Sequence, residues 1–201
     1  MQKTDYLQDI SEIRSMMERS SRFISLSGLS GVMAGVYALV GAGVAQWCLS
    51  QYRTGYLGSY RDAVGYLALI ASVVLLLAIG TGIWLTTRRA RRQGLKVWDA
   101  TVRRLVIHLL IPLVAGGIFC LVLVGQGYTG IVAPSMLMFY GLALINASKY
   151  TLTDVMYLGL AELGLGLLSA IVIGYGLLFW AIGFGVLHIV YGASMYYKYE
   201  R

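Results

Sequence analysis

Charged side chains are scarce in this chain. Only 12% of its residues are Asp, Glu, Lys or Arg, about half the share of an ordinary soluble domain. Cysteine, proline and histidine occur twice each, and each shortage excludes something. Two cysteines, Cys48 and Cys120, cannot build the disulfide framework of a small secreted domain. A bond between them would need Cα atoms within about 7 Å, and Cys120 lies deeper in its apolar run than Cys48. Both are therefore read as small packing residues. The histidines form no H-E-x-x-H or comparable ligand spacing, so metal-assisted hydrolysis has no signature here. Ser135 and Ser169 lie in no G-x-S-x-G context, so a serine nucleophile has none either. The glycines sit inside apolar runs rather than in a phosphate-cradling loop. The chain therefore reads as non-enzymatic, with no cofactor and no metal.

Apolar residues are abundant: they make up 58% of the chain, and its mean hydropathy is +0.72. Six apolar runs stand out, roughly Phe23 to Leu49, Ala63 to Thr87, Leu105 to Gly125, Ile131 to Asn146, Val155 to Ile173 and Leu177 to Tyr197. Each approaches the ~20 residues that cross a bilayer core. The fold class that follows is an all-α polytopic membrane bundle of six transmembrane helices, preceded by an amphipathic N-terminal helix. Residues 1–22 form that helix, 23–197 the membrane domain and 198–201 a short tail. In the first segment Leu7, Ile10, Ile13 and Met17 make one apolar stripe. It suits a helix lying on the inner membrane surface, or one that docks a partner protein or a second copy of the chain. With over twenty mixed residues ahead of the first run, we expect no cleavable signal.

The net charge of +7 would suggest nucleic acid in a soluble protein; here it reports orientation, and no nucleic-acid partner is expected. Six spans with the N-terminus inside place 14 of the 16 Lys and Arg residues on the inner side, leaving only Arg53 and Arg61 outside. That asymmetry predicts cytoplasmic N- and C-termini. The densest group is Arg88, Arg89, Arg91, Arg92, Lys96, Arg103 and Arg104, a topology signal and a surface for anionic lipid headgroups. Trp98 beside it suits a loop lying on the membrane.

The chemistry inside the spans narrows to a few polar residues. Glu162 is the single carboxylate within a run; Gly159 and Gly166 flank it at helical spacing, as Gly185 and Gly192 flank His188. The fifth and sixth runs are joined by Gly174-Tyr175-Gly176 and should be antiparallel neighbours. Glu162 would lie roughly 12 Å past Asp154 and His188 roughly 15 Å before Lys198. That similar depth predicts a Glu162–His188 hydrogen bond or ion pair, which either carries or senses a proton or simply fastens a hairpin. His108 and Asn146 fall near the inner interface, where they would line an inward-facing vestibule. Axial ligation of a haem by His108 and His188 is a further alternative, although their depths differ. Small residues in spans one, five and six, including Gly31 and Gly35, predict close helix contacts within the chain. Pro112 should kink the third span.

Two stretches, Arg22-Phe23-Ile24-Ser25-Leu26-Ser27-Gly28-Leu29-Ser30-Gly31 and Gly183-Phe184-Gly185-Val186-Leu187-His188-Ile189-Val190-Tyr191-Gly192, resemble a family of small six-span inner-membrane proteins of bacteria that lack an assigned activity. The resemblance implies six spans and a bacterial inner membrane, and it transfers no catalytic residue. The function expected first is a membrane sensor or accessory module. A small proton-coupled transporter or channel using Glu162 and His188 comes second, and an intramembrane haem or cofactor carrier third.

Overall fold

A computed structural model of the chain describes residues 26–56, 58–94 and 97–201; the amphipathic helix expected over residues 1–22 and the loop residue Lys96 lie outside them. Every regular element among the described residues is helical, and six helices are long and apolar enough to cross a membrane. The chain is a multi-pass helical membrane protein. Its helices are α1 (Gly28–Arg53), α2 (Tyr60–Arg92), α3 (Ala100–Gly125), α4 (Val132–Ala147), α5 (Asp154–Ile171) and α6 (Gly176–Tyr199). Short 3₁₀ turns, Thr129–Ile131 and Ser148–Tyr150, extend α4 at both ends.

Helices α2 and α3 start ahead of their apolar stretches because side-chain caps set those ends. Ser59 and Asp62 form a capping box: the Asp62 carboxylate accepts from the Ser59 N–H at 2.9 Å, and Ser59 Oγ accepts from the Asp62 N–H at 3.3 Å. This starts α2 at Tyr60, ahead of the expected Ala63. Its 33 residues span about 50 Å, well over the ~30 Å of hydrocarbon, so the Arg88–Arg92 turn stays helical beyond the apolar core. Likewise Asp99 Oδ1 accepts from the Val102 N–H at 2.7 Å, which draws Arg103 and Arg104 into the first turns of α3. The helix α3 then continues through Pro112.

In lipid no hydrophobic effect drives helices together, so backbones must approach closely enough for dispersion to hold them. Glycine makes that approach. A Cβ at Gly192 would lie 2.5 Å from the Gly28 carbonyl oxygen, and one at Gly35 would lie 2.5 Å from that of Gly185. These contacts join α1 to α6. Gly141 and Gly159 do the same between α4 and α5, at 2.7 and 2.8 Å from each other's carbonyl oxygens. The small-residue faces thus pack within the chain, as expected. Helices α5 and α6 are consecutive, yet α5 lies chiefly on α4 and α6 chiefly on α1. Loop length fixes which helices are joined; glycine matching decides which ones lie flush. Helix α2 packs on α1 and α3 on α4, while α2 and α3 do not pack along each other. The two groups, α1–α2 and α3–α4–α5, meet through α6.

Candidate functional site

At that meeting point α6 departs from α-helical winding. Residues Gly176–Trp180 are α-helical, Ala181–Leu187 form a π-helical segment, and the α-helix resumes at His188. Such wide turns tend to mark functional positions inside α-helices. Gly183, within the segment, faces Glu162 of α5: a Cβ there would sit 2.5 Å from both Glu162 Oε2 and Leu137 Cδ2. The missing side chain makes room for the carboxyl group.

Glu162 is fully buried. Its Oε1 lies 3.4 Å from His188 Nδ1, close enough for charge to act on charge. The contact is not aligned as a hydrogen bond, and neither Glu162 oxygen has a hydrogen-bond partner among the described residues. The expected pair is therefore brought together, but as a contact rather than a hydrogen bond. His188 Nδ1 instead bonds the Gly183 carbonyl oxygen at 3.0 Å. A carbonyl only accepts, so Nδ1 carries a proton. In the neutral ring Nε2 then accepts, and it takes the hydroxyl proton of Tyr140 at 2.7 Å. Phe184 packs its ring against Tyr140 at a centroid separation of 5.0 Å, and Tyr140 and His188 stack at 5.4 Å.

This arrangement holds one carboxyl group away from water, one imidazole with both nitrogens engaged and one hydroxyl. A charge on Glu162 there carries a desolvation penalty of several kcal/mol unless compensated. The protonation state of the glutamate therefore bears directly on the energy with which α4, α5 and α6 meet. Tyr140 and Gly183 were not singled out by the sequence. Tyr140 was one of 15 tyrosines, most of which fall at span edges; its place near the middle of the fourth apolar run was the signal that set it apart.

His108 and Asn146 also come together, as staples between α3 and α4. Asn146 Nδ2 donates to the His108 carbonyl oxygen at 3.0 Å, and His108 Nε2 bonds the Tyr150 hydroxyl at 3.0 Å beneath a stacked Tyr150 ring. Asn146 Nδ2 and His108 Nε2 are thus both engaged with protein groups. Each imidazole Nε2 thus has its own tyrosine partner. Cys48 and Cys120 are both free thiols.

The arginine group divides. Arg88, Arg91, Arg92, Arg103 and Arg104 are exposed, and Arg88 lies over the Trp84 ring. Arg89 turns inward. Its Nη1 donates to the Leu26 carbonyl oxygen at 2.5 Å and to Glu200 Oε1 at 2.6 Å, and its Nη2 donates to the Tyr199 carbonyl oxygen at 2.8 Å. Glu200 Oε1 also accepts from the Gly28 N–H at the start of α1, where a negative charge suits the helix dipole. Arg89 and Glu200 together bind the ends of α1, α2 and α6.

Comparison with protein-family models, with curated proteins and with solved structures returned no match.

Proposed function

We propose that this chain is a non-enzymatic, proton-responsive sensor or accessory module of a bacterial inner membrane, with both termini cytoplasmic. The observation that carries the reading is the fully buried Glu162 carboxyl, without a hydrogen-bond partner among the described residues, set 3.4 Å from His188 Nδ1. The titratable groups around it are His188 from α6 and Tyr140 from α4, with Tyr191 of α6 within electrostatic reach of Tyr140. A proton gained or lost by this cluster alters the contact on which α4, α5 and α6 converge, and the π-helical segment gives α6 a second winding to adopt. The charge asymmetry of the loops supports the orientation. Exposed Arg88, Arg91, Arg92, Arg103 and Arg104 suit contact with anionic headgroups, and the N-terminal segment is the surface we assign to a protein partner or to self-association.

Hydrogen exchange of the protein in lipid nanodiscs, across about pH 5 to 8 and corrected for intrinsic rates, tests this. Protection of residues 176–199 should change with pH, and Glu162→Gln should abolish the change. Protection that is independent of pH in the parent protein contradicts the reading. Proton flux in proteoliposomes that Glu162→Gln abolishes would instead favour the transporter.

A further inference from the structure

Helices α5 and α6 are drawn to different partners, α5 chiefly to α4 and α6 chiefly to α1, and a groove of about 240 Å³ is left between them. Buried Leu158 and Met195 form its floor, and exposed Tyr157 and Val190 stand at its rim. It therefore opens sideways along the spans, where hydrocarbon surrounds the bundle. Its volume falls below the roughly 300–1,000 Å³ of pockets that enclose compact small molecules, and its length along the helices suits a slender chain.

Polarity is graded along the groove. At the arginine-rich end of the bundle the Asp154 carboxylate accepts from Lys198 Nζ at 3.0 and 3.1 Å and from the Tyr199 hydroxyl at 2.7 Å. Ser194, four residues before Lys198 and so about 6 Å deeper along α6, is exposed in the groove. Hydroxyls elsewhere in the spans, those of Ser72, Thr81 and Ser135, bond the carbonyl oxygen one turn back. That of Ser194 has no hydrogen-bond partner among the described residues, although an unpaired hydroxyl facing hydrocarbon is costly. Deeper still the lining is mainly apolar, with Ala161 and Leu187 at its end, about 10 Å of helix from Asp154. Ionic groups, then a hydroxyl, then hydrocarbon is also the order in which a phospholipid presents its headgroup, its glycerol esters and its acyl chains.

The mouth carries one charge of each sign and sits apart from the exposed arginines. Both contacts of the Lys198 ammonium go to one carboxylate, and an ammonium has three N–H groups, so it can still donate. Asp154 Oδ1 accepts from Lys198 alone, whereas Oδ2 also accepts from Tyr199, so Oδ1 can still accept. A headgroup that pairs a phosphate with a primary ammonium complements both remaining capacities. We infer that the groove binds one phospholipid with a zwitterionic phosphoethanolamine headgroup. The phosphate accepts from Lys198, the ammonium donates to Asp154 Oδ1, Ser194 donates to a glycerol ester, and one acyl chain lies in the groove. A phosphocholine headgroup has no N–H to donate and phosphatidylglycerol has no ammonium, so both forgo the Asp154 contact. The site stands independently of the reading of Glu162.

The test is native mass spectrometry of the full chain in mild detergent, titrated with phosphatidylethanolamine, phosphatidylcholine and phosphatidylglycerol of identical acyl chains. In the parent protein one phosphatidylethanolamine should be retained, with an apparent Kd about tenfold below those of the other two, a difference of about 1.4 kcal/mol. Asp154→Asn should remove that preference, and Ala161→Leu, which fills the groove from its exposed wall, should weaken phosphatidylethanolamine binding by a similar factor. Circular dichroism checks that the variants stay folded, and the ranking in the parent protein needs no variant. Equal affinity for the three lipids, or any other ranking, overturns the inference. So does a phosphatidylethanolamine preference that survives Asp154→Asn, or an affinity unchanged by Ala161→Leu.

Discussion

Gly183 shows how much one absent methyl group controls. Its Cβ position is occupied by Glu162 Oε2 and Leu137 Cδ2, so Gly183→Ala should destabilise the protein by about 1–3 kcal/mol through overpacking. In a Glu162→Ala background the same substitution should cost less, because one of the two obstructing groups is gone. Equilibrium unfolding in mixed micelles of the four proteins measures this; equal costs in both backgrounds would contradict the contact. Tyr140→Phe should cost about 1–3 kcal/mol in the same assay, since it leaves the buried His188 Nε2 without its donor. At this scale the sequence was partly informative. Glu162 and His188 were legible because an ionisable residue inside an apolar run is conspicuous. Tyr140 was less so, because its mid-span place is the one local sign and the imidazole its hydroxyl meets lies on another helix. Gly183 was not, since its role depends on what lies opposite.

Among the elements, the α1–α6 seam and the Arg89–Glu200 tie carry separate loads. Gly192→Val would push a side chain into the Gly28 carbonyl oxygen and the Val32 amide, each 2.5 Å from the Cβ position. Backbone cannot yield as a side-chain tip can, so a loss of about 3 kcal/mol or more is predicted. Gly80→Ala on α2 meets nothing within 4 Å and should be neutral, or favourable by up to about 1 kcal/mol from helix propensity. Thermal unfolding in detergent distinguishes the two, and equal melting points would contradict the assigned seam. Arg89→Ala leaves Glu200 and two carbonyl oxygens without their cation. It should cost about 1–3 kcal/mol, whereas Arg92→Ala, on an exposed side chain, should leave unfolding unchanged. The run of arginines concealed this division. Arg88, Arg89, Arg91 and Arg92 look alike in sequence, and only the position of Glu200, far away in the chain, selects Arg89.

For the molecule as a whole, six spans and their small-residue faces were readable because hydropathy and glycine spacing are local. Which face meets which was not, because the match between Gly28 and Gly192, or between Gly141 and Gly159, is a property of two helices at once. The loop joining α5 to α6 made them neighbours, and the glycine seams led each mainly to an earlier helix. The polar cluster sits where α4, α5 and α6 converge. Whether Glu162 and His188 behave as one coupled unit is measured most directly by ¹⁵N NMR of histidine-labelled protein in nanodiscs. The chain has only two histidines, and a His108 variant assigns them. Glu162→Gln should shift both His188 nitrogen resonances and change their pH dependence, leaving His108 unmoved. His188 resonances identical in the parent and Glu162→Gln proteins at every pH would contradict the account.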